Sequence, residues 1–140
     1  MGTRAIYIFE DEHEEVAVYK HYDNYPSGAA DFIEKAKSHA WELPRFEADE
    51  FAAAFVAANK NQGGGEVRLV QYNKYSGRDA MVEDYTWCDY YYVISKHNGK
   101  SLWVEIWQSR DDECLGKSYG TIWVPVDELT LTEMKEKYNG

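Results

Sequence analysis

Residues 90–107 read YYYVISKHNGKSLWVEIW, and the register in which this stretch pairs with itself decides the fold. Asn98-Gly99 between two runs of aromatic and β-branched residues is the strongest short-range hairpin signal. With Asn98 and Gly99 as the loop, Val93 stands opposite Val104, Tyr91 opposite Ile106 and Ser95 opposite Leu102 on one face. The other face then carries Tyr90, Tyr92 and Ile94 against Trp107, Glu105 and Trp103. The first face is an ordinary core face. The second sets four large aromatics around one carboxylate, so it either lies under helices, with Glu105 paired or at the edge, or meets a partner. Burial is the leading expectation, because large aromatics are usually covered where a sheet has helices available.

Outward from the hairpin, EVRLVQY at 66–72 and GTIWVPV at 120–126 continue the β pattern, and TWCDYYYVIS at 86–95 reads as one strand. This implies an antiparallel sheet of about four strands. Upstream, TRAIYIFE at 3–10 suits a strand covered on both faces, and VAVYKHY at 16–22 returns from a turn at Asp11 to Glu14. Between hairpin and sheet the period changes. Ala29, Phe32, Ile33 and Ala36 mark one amphipathic helix, with Ser27 or Gly28 near its start and Asp31 in its first turn. After Pro44, the spacing of Ala48, Phe51, Ala52 and Phe55 predicts a second helix from Glu47 to Asn59. NQGGG at 61–65 ends it as a helix stop and connection, not as a phosphate loop. Thr130-Leu-Thr-Glu133 is a capping box that opens a short C-terminal helix to Tyr138. The expectation is a single α+β domain over 1–140.

Fifteen Lys plus Arg against 25 Asp plus Glu give a net charge of −10. A field of that sign repels phosphates, so direct nucleic-acid binding is disfavoured. It suits a basic partner, including the groove of a nucleic-acid-binding protein, although solubility alone also accounts for acidity. Tyr, Trp and Phe make 16% of the chain, a composition shared by cores and interfaces. No run approaches the ~18 apolar residues of a membrane span, and the N-terminus lacks a signal-peptide layout. The expected location is the cytoplasm. Cys88 and Cys114 have neither metal-ligand spacing nor a disulfide framework, and Cys88 in its strand pattern reads as core. Histidines 13, 21, 39 and 97 show no zinc spacing, and no serine lies in a nucleophile elbow. No metal or cofactor is expected.

The segment HYDNYPSG at 21–28 concentrates polar chemistry. His21 and Asp23, two apart on a strand, share a face and can form an acid–base pair. Asp23 or Asn24 can equally start a turn, and Tyr25-Pro26 is an extended step into the helix. Both readings stay open.

Met1-Gly2-Thr3-Arg4, a strand pair, and then Tyr19, Tyr22 and Asp23-Asn24-Tyr25-Pro26-Ser27-Gly28 resemble a group of small uncharacterised bacterial and phage proteins that open MGTR and carry a D-G-Y-P-S-G box. The likeness covers roughly the first thirty residues. Asn24 stands where that group usually has glycine, and Asn is the non-glycine residue most tolerant of a left-handed turn. The resemblance implies a phage or mobile-element setting and no activity.

Two functional expectations follow. One is a phage-type binding protein that engages a host protein through acidic and aromatic surface, in its sharpest form an inhibitor of CRISPR or another defence complex. Its contact residues would be Tyr90, Tyr92, Trp103, Glu105 and Trp107. The other is a small-ligand or nucleotide-binding protein or enzyme in which Arg4, His21, Tyr22, Asp23 and Tyr25 line a pocket, with Arg4 as the anion contact.

Overall fold

The structure is a computed structural model that describes residues 3–60, 67–71, 74–99, 101–111 and 121–139. The 61–65 connection, Cys114 and the Met1-Gly2 start lie outside the described residues. The elements run β1 (Ala5–Glu10), β2 (Glu15–Lys20), α1 (Pro26–His39), α2 (Ala48–Asn59) and β3 (Val67–Leu69). They continue with α3 (Arg78–Glu83), β4 (Tyr90–Lys96), β5 (Leu102–Asp111), β6 (Thr121–Thr130) and α4 (Leu131–Asn139).

The α+β class, the N-terminal hairpin and the C-terminal helix are as expected. The sheet is larger than expected and mixed. Six strands follow the order β3-β2-β1-β4-β5-β6, with β1 parallel to β4 and the other pairs antiparallel. The hairpin is thus part of the main sheet. The cause is visible in β1: Ala5, Ile6, Tyr7, Ile8 and Phe9 are all buried, a continuous apolar run that only a central strand covered on both faces can bury.

One face packs under α1, α2 and α4. Tyr7, Phe9, Val18, Tyr92, Ile94, Val104 and Ile106 meet Ile33, Phe51, Phe55 and Met134 there. The opposite face carries Ile6, Ile8, Ala17, Tyr19, Tyr91 and Val93 against Met81 and Val82 of α3. The expected reading omits α3, because six residues are fewer than two turns and leave no measurable period. Cys88 is core as expected, but it precedes β4.

The β4–β5 register is one residue away from the expected one. Tyr92 pairs with Ile106, Tyr91 with Trp107, Val93 with Glu105 and Ser95 with Trp103. The turn is longer than Asn98-Gly99 alone: the His97 amide donates to the Ser101 oxygen at 3.0 Å, and Gly99 takes φ 60°. A one-residue slip exchanges the faces of one strand relative to the other. The expected aromatic face is therefore divided. Tyr90 and Tyr92 are buried under the helices, whereas the half-buried Trp107 packs on the α3-side cluster, Glu105 stands beside Arg78 of α3, and Trp103 is half-buried beside His97.

Helix starts also differ in detail. α1 begins at Pro26, so Ser27 and Gly28 lie near its start as expected, but the N-cap residue is Tyr25, which makes no side-chain cap, and Asp31 lies beyond the first turn. α2 begins at Ala48 with Asp49 and Glu50 in its first turn. Its first amide is satisfied from outside, since Ala48 N–H donates to Asp11 Oδ2 at 2.7 Å.

Candidate functional site

The 21–28 segment is built around a buried asparagine. Asn24 is fully buried, and its Nδ2 donates to the Thr3 oxygen at 2.8 Å and the Lys20 oxygen at 2.9 Å. Its Oδ1 accepts from Tyr7 Oη at 2.6 Å, and its backbone oxygen accepts from Tyr92 Oη at 2.6 Å. Burial pushes both phenols well above their ordinary pKa, which keeps them protonated as donors. Asn24 therefore ties three strands to the entry of α1. The left-handed residue is its neighbour: Asp23 takes φ 63°. Asn24 is in place for its hydrogen bonds and not for turn tolerance.

The His21–Asp23 pair that the spacing allows does not form. His21 Nδ1 lies 2.6 Å from Tyr19 Oη, and its ring packs edge-on to Tyr22 at 4.4 Å. Asp23 and Tyr25 are exposed, and Tyr25 makes its ring contact with Tyr90 at 6.2 Å.

Arg4 and His21 do converge. They line a cleft of about 670 Å3 together with Tyr19, Arg68, Lys74, Tyr85 and Trp87. Each part has a structural reason for its place. The Arg4 backbone is fixed where β1 and β4 begin to run in parallel: its N–H donates to Asp89 Oδ2 at 3.0 Å, and its oxygen accepts from the Asp89 and Tyr90 amides at 2.9 and 3.2 Å. That parallel pairing brings the α3–β4 connection, with Tyr85 and Trp87, beside Arg4. On the other side β3 adds Arg68 next to Tyr19.

The rings form a connected wall. Tyr19 and Trp87 lie 5.6 Å apart and Tyr85 and Trp87 5.7 Å apart, while the Arg4 guanidinium stands 5.9 Å from the indole centroid and that of Arg68 5.7 Å from Tyr19. Such distances are those of cation–π contacts. Among the described residues that line the cleft there is no Asp or Glu. The nearby Cys88 thiol is buried and pushed up to about 12 by that burial, so it supplies no nucleophile. The cleft offers donors, positive charge and ring faces, which is equipment for holding an anion.

A second cleft, of about 860 Å3, lies at the tip of the β1–β2 hairpin. Glu10, Asp11, Glu12, Glu14, Glu47 and Asp49 line it, with Arg45 and Lys96. Beside it Glu10 is paired across the hairpin with Glu15. Burial first, and then the hydrogen bond and charge of Glu15, raise the Glu10 carboxyl to about 7. Glu105 is paired: it stands 3.9 Å from Arg78 and accepts from Trp107 Nε1 at 3.2 Å. No His, Cys, Asp and Glu group suited to a metal ion occurs among the described residues.

Tyr19, Arg68, Lys74, Tyr85 and Trp87 were not among the candidates read from the sequence. Their joint placement depends on the β1–β4 parallel pairing and the β3 edge, and no local pattern encodes either. Comparison of the chain with known protein families, with curated proteins and with solved structures found no match.

Proposed function

We propose that the protein is a binding protein whose ligand is a compact anion held in the Arg4–Arg68–Lys74 cleft. The observation that carries this is three cationic side chains facing one aromatic-walled cleft without a carboxylate among its described lining residues, on a chain with a net charge of −10. Acids outnumber bases 25 to 15 in the chain, so described lining residues with three bases and no acid run against its overall composition. A volume of about 670 Å3 falls in the range of small-molecule sites. The test is titration with inorganic pyrophosphate and ribose 5-phosphate, followed by amide and indole NMR shifts. Saturable shifts confined to the cleft, weakened about ten-fold by Arg68→Ala and by added salt, are expected. Absence of saturation at millimolar concentrations of both overturns the reading.

The hairpin-tip groove favours a second reading, a protein partner. Six acidic side chains in one cleft suit a basic surface, and the likeness of the first thirty residues to phage proteins supplies a host setting. In that reading the chain inhibits a host complex that handles nucleic acid by presenting carboxylates in place of phosphates. Capture of a host protein at low salt by the wild type, abolished by Glu12→Lys with Glu14→Lys, is its expected result. Capture unaffected by these charge reversals counts against it.

A further inference from the structure

The same cleft contains a feature that a simple anion site does not need. Trp87 remains 55% exposed although its indole is fixed in place. Its Nε1–H donates to the Asp84 oxygen at 3.1 Å, and Tyr19 and Tyr85 pack against the ring. Exposing a large ring leaves apolar surface in water, and holding it still costs side-chain entropy. A flat ligand covering the indole removes that surface from water, and the ordering cost has already been met in the free protein.

Resting on the anion-binding reading above, we propose that the ligand is a nucleoside phosphate, its base stacked on Trp87 and its phosphate held by Arg4, Arg68 and Lys74. Every base offers a ring face, and stacking on an aromatic side chain strengthens binding by roughly ten- to a hundred-fold. Arginine and lysine together suit phosphate: the arginine fork binds two oxygens, and lysine adds a point charge. A polymer is disfavoured, because a strand leaving the cleft would run over a surface whose overall field repels phosphates. A mononucleotide stays within the cationic wall.

The experiment compares adenosine 5′-monophosphate with ribose 5-phosphate, which carries the phosphate without a base. Indole fluorescence and NMR titration are expected to show the nucleotide binding at least about ten-fold more tightly. Trp87→Ala is expected to weaken the nucleotide far more than ribose 5-phosphate, so that the two affinities converge. Because that variant leaves a space beside Tyr19, intermolecular NOEs between the adenine protons and the Trp87 indole in the wild type provide an independent readout. Equal affinities for the two ligands, or nucleotide binding without those NOEs, overturn the nucleotide assignment and leave the anion reading standing. Failure of both ligands and of pyrophosphate overturns both readings. Tighter binding of a single-stranded oligonucleotide than of the mononucleotide also overturns the assignment, in favour of a polymer site.

Discussion

Tyr7 donates its hydroxyl to the side-chain oxygen of Asn24 at 2.6 Å, inside a core where neither group reaches water. The same asparagine satisfies the oxygens of Thr3 and Lys20 through its amide. Removing one partner from such a network leaves buried polar groups without hydrogen bonds, each costing about 1–3 kcal/mol. Asn24→Ala should therefore destabilise the fold by roughly 3 kcal/mol or more in urea denaturation. Tyr7→Phe in the Asn24→Ala background should cost less than it does alone, because the hydroxyl it removes already lacks its acceptor. Additive losses would show that the two side chains are not coupled.

Gly28 tests the same corner from the helix side. A Cβ at this position would stand 2.0 Å from the Asp23 backbone oxygen, and backbone yields far less than a flexible side chain. Gly28→Ala should cost roughly 2 to 4 kcal/mol. Gly99 at φ 60° has open space around it, so Gly99→Ala carries only the left-handed penalty of about 1 kcal/mol. Melting curves giving equal losses for the two variants would remove the steric argument at Gly28.

These residues show what was legible in the chain and what was not. Period and breaker signals located the N-terminal hairpin, α1, α2 and α4 because each is a local property: alternation, i/i+3/i+4 spacing, a proline, a capping box. The continuous apolar run of β1 already implied cover on both faces. Its parallel partner β4 lies 85 residues away in sequence, Ala5 pairing with Tyr90, and no local signal names it. The hairpin at Asn98-Gly99 was visible, but its register depended on one residue of turn length, and that single residue moved Trp103 and Trp107 away from Tyr90 and Tyr92. At the cleft, Arg4 and His21 stood out by chemistry. Trp87 was hidden inside a stretch that reads as strand, and Arg68 in another that reads only as a further strand.

The Glu10–Glu15 pair gives a pH dependence of unusual sign. Glu10 is raised from its ordinary value to about 7, first by burial and then by Glu15, so the folded state retains a proton that the unfolded chain releases near pH 4.5. The associated stability is fully present below about 4.5 and is lost as pH rises through about 7. Solvent around this half-buried carboxyl reduces the effect to on the order of 1 kcal/mol. Glu10→Gln should flatten the decline between pH 5 and pH 7 (both approximate limits) in melting temperature. A decline unchanged in Glu10→Gln would assign the proton elsewhere.

The capping box at the start of α4 acts in the opposite direction. Thr130 N–H donates to Glu133 Oε1 at 3.0 Å, and Glu133 N–H donates to Thr130 Oγ1 at 3.2 Å. The Thr130 amide, and then its hydroxyl, hold the Glu133 carboxyl below its ordinary range, so its contribution exists above that range and is lost as pH falls through the lowered value. Because Leu131 and Met134 of this helix are buried in the main core, loosening its first turn is felt by the whole domain. Thr130→Ala should lower global stability by about 1 kcal/mol at neutral pH. Glu133→Gln keeps an acceptor for the amide, so it should preserve most of the helix while abolishing the acid-side loss attributable to this carboxyl. An acid-side loss identical in wild type and Glu133→Gln would show that Asp11 and Asp127, whose carboxyls are also held low, account for it instead.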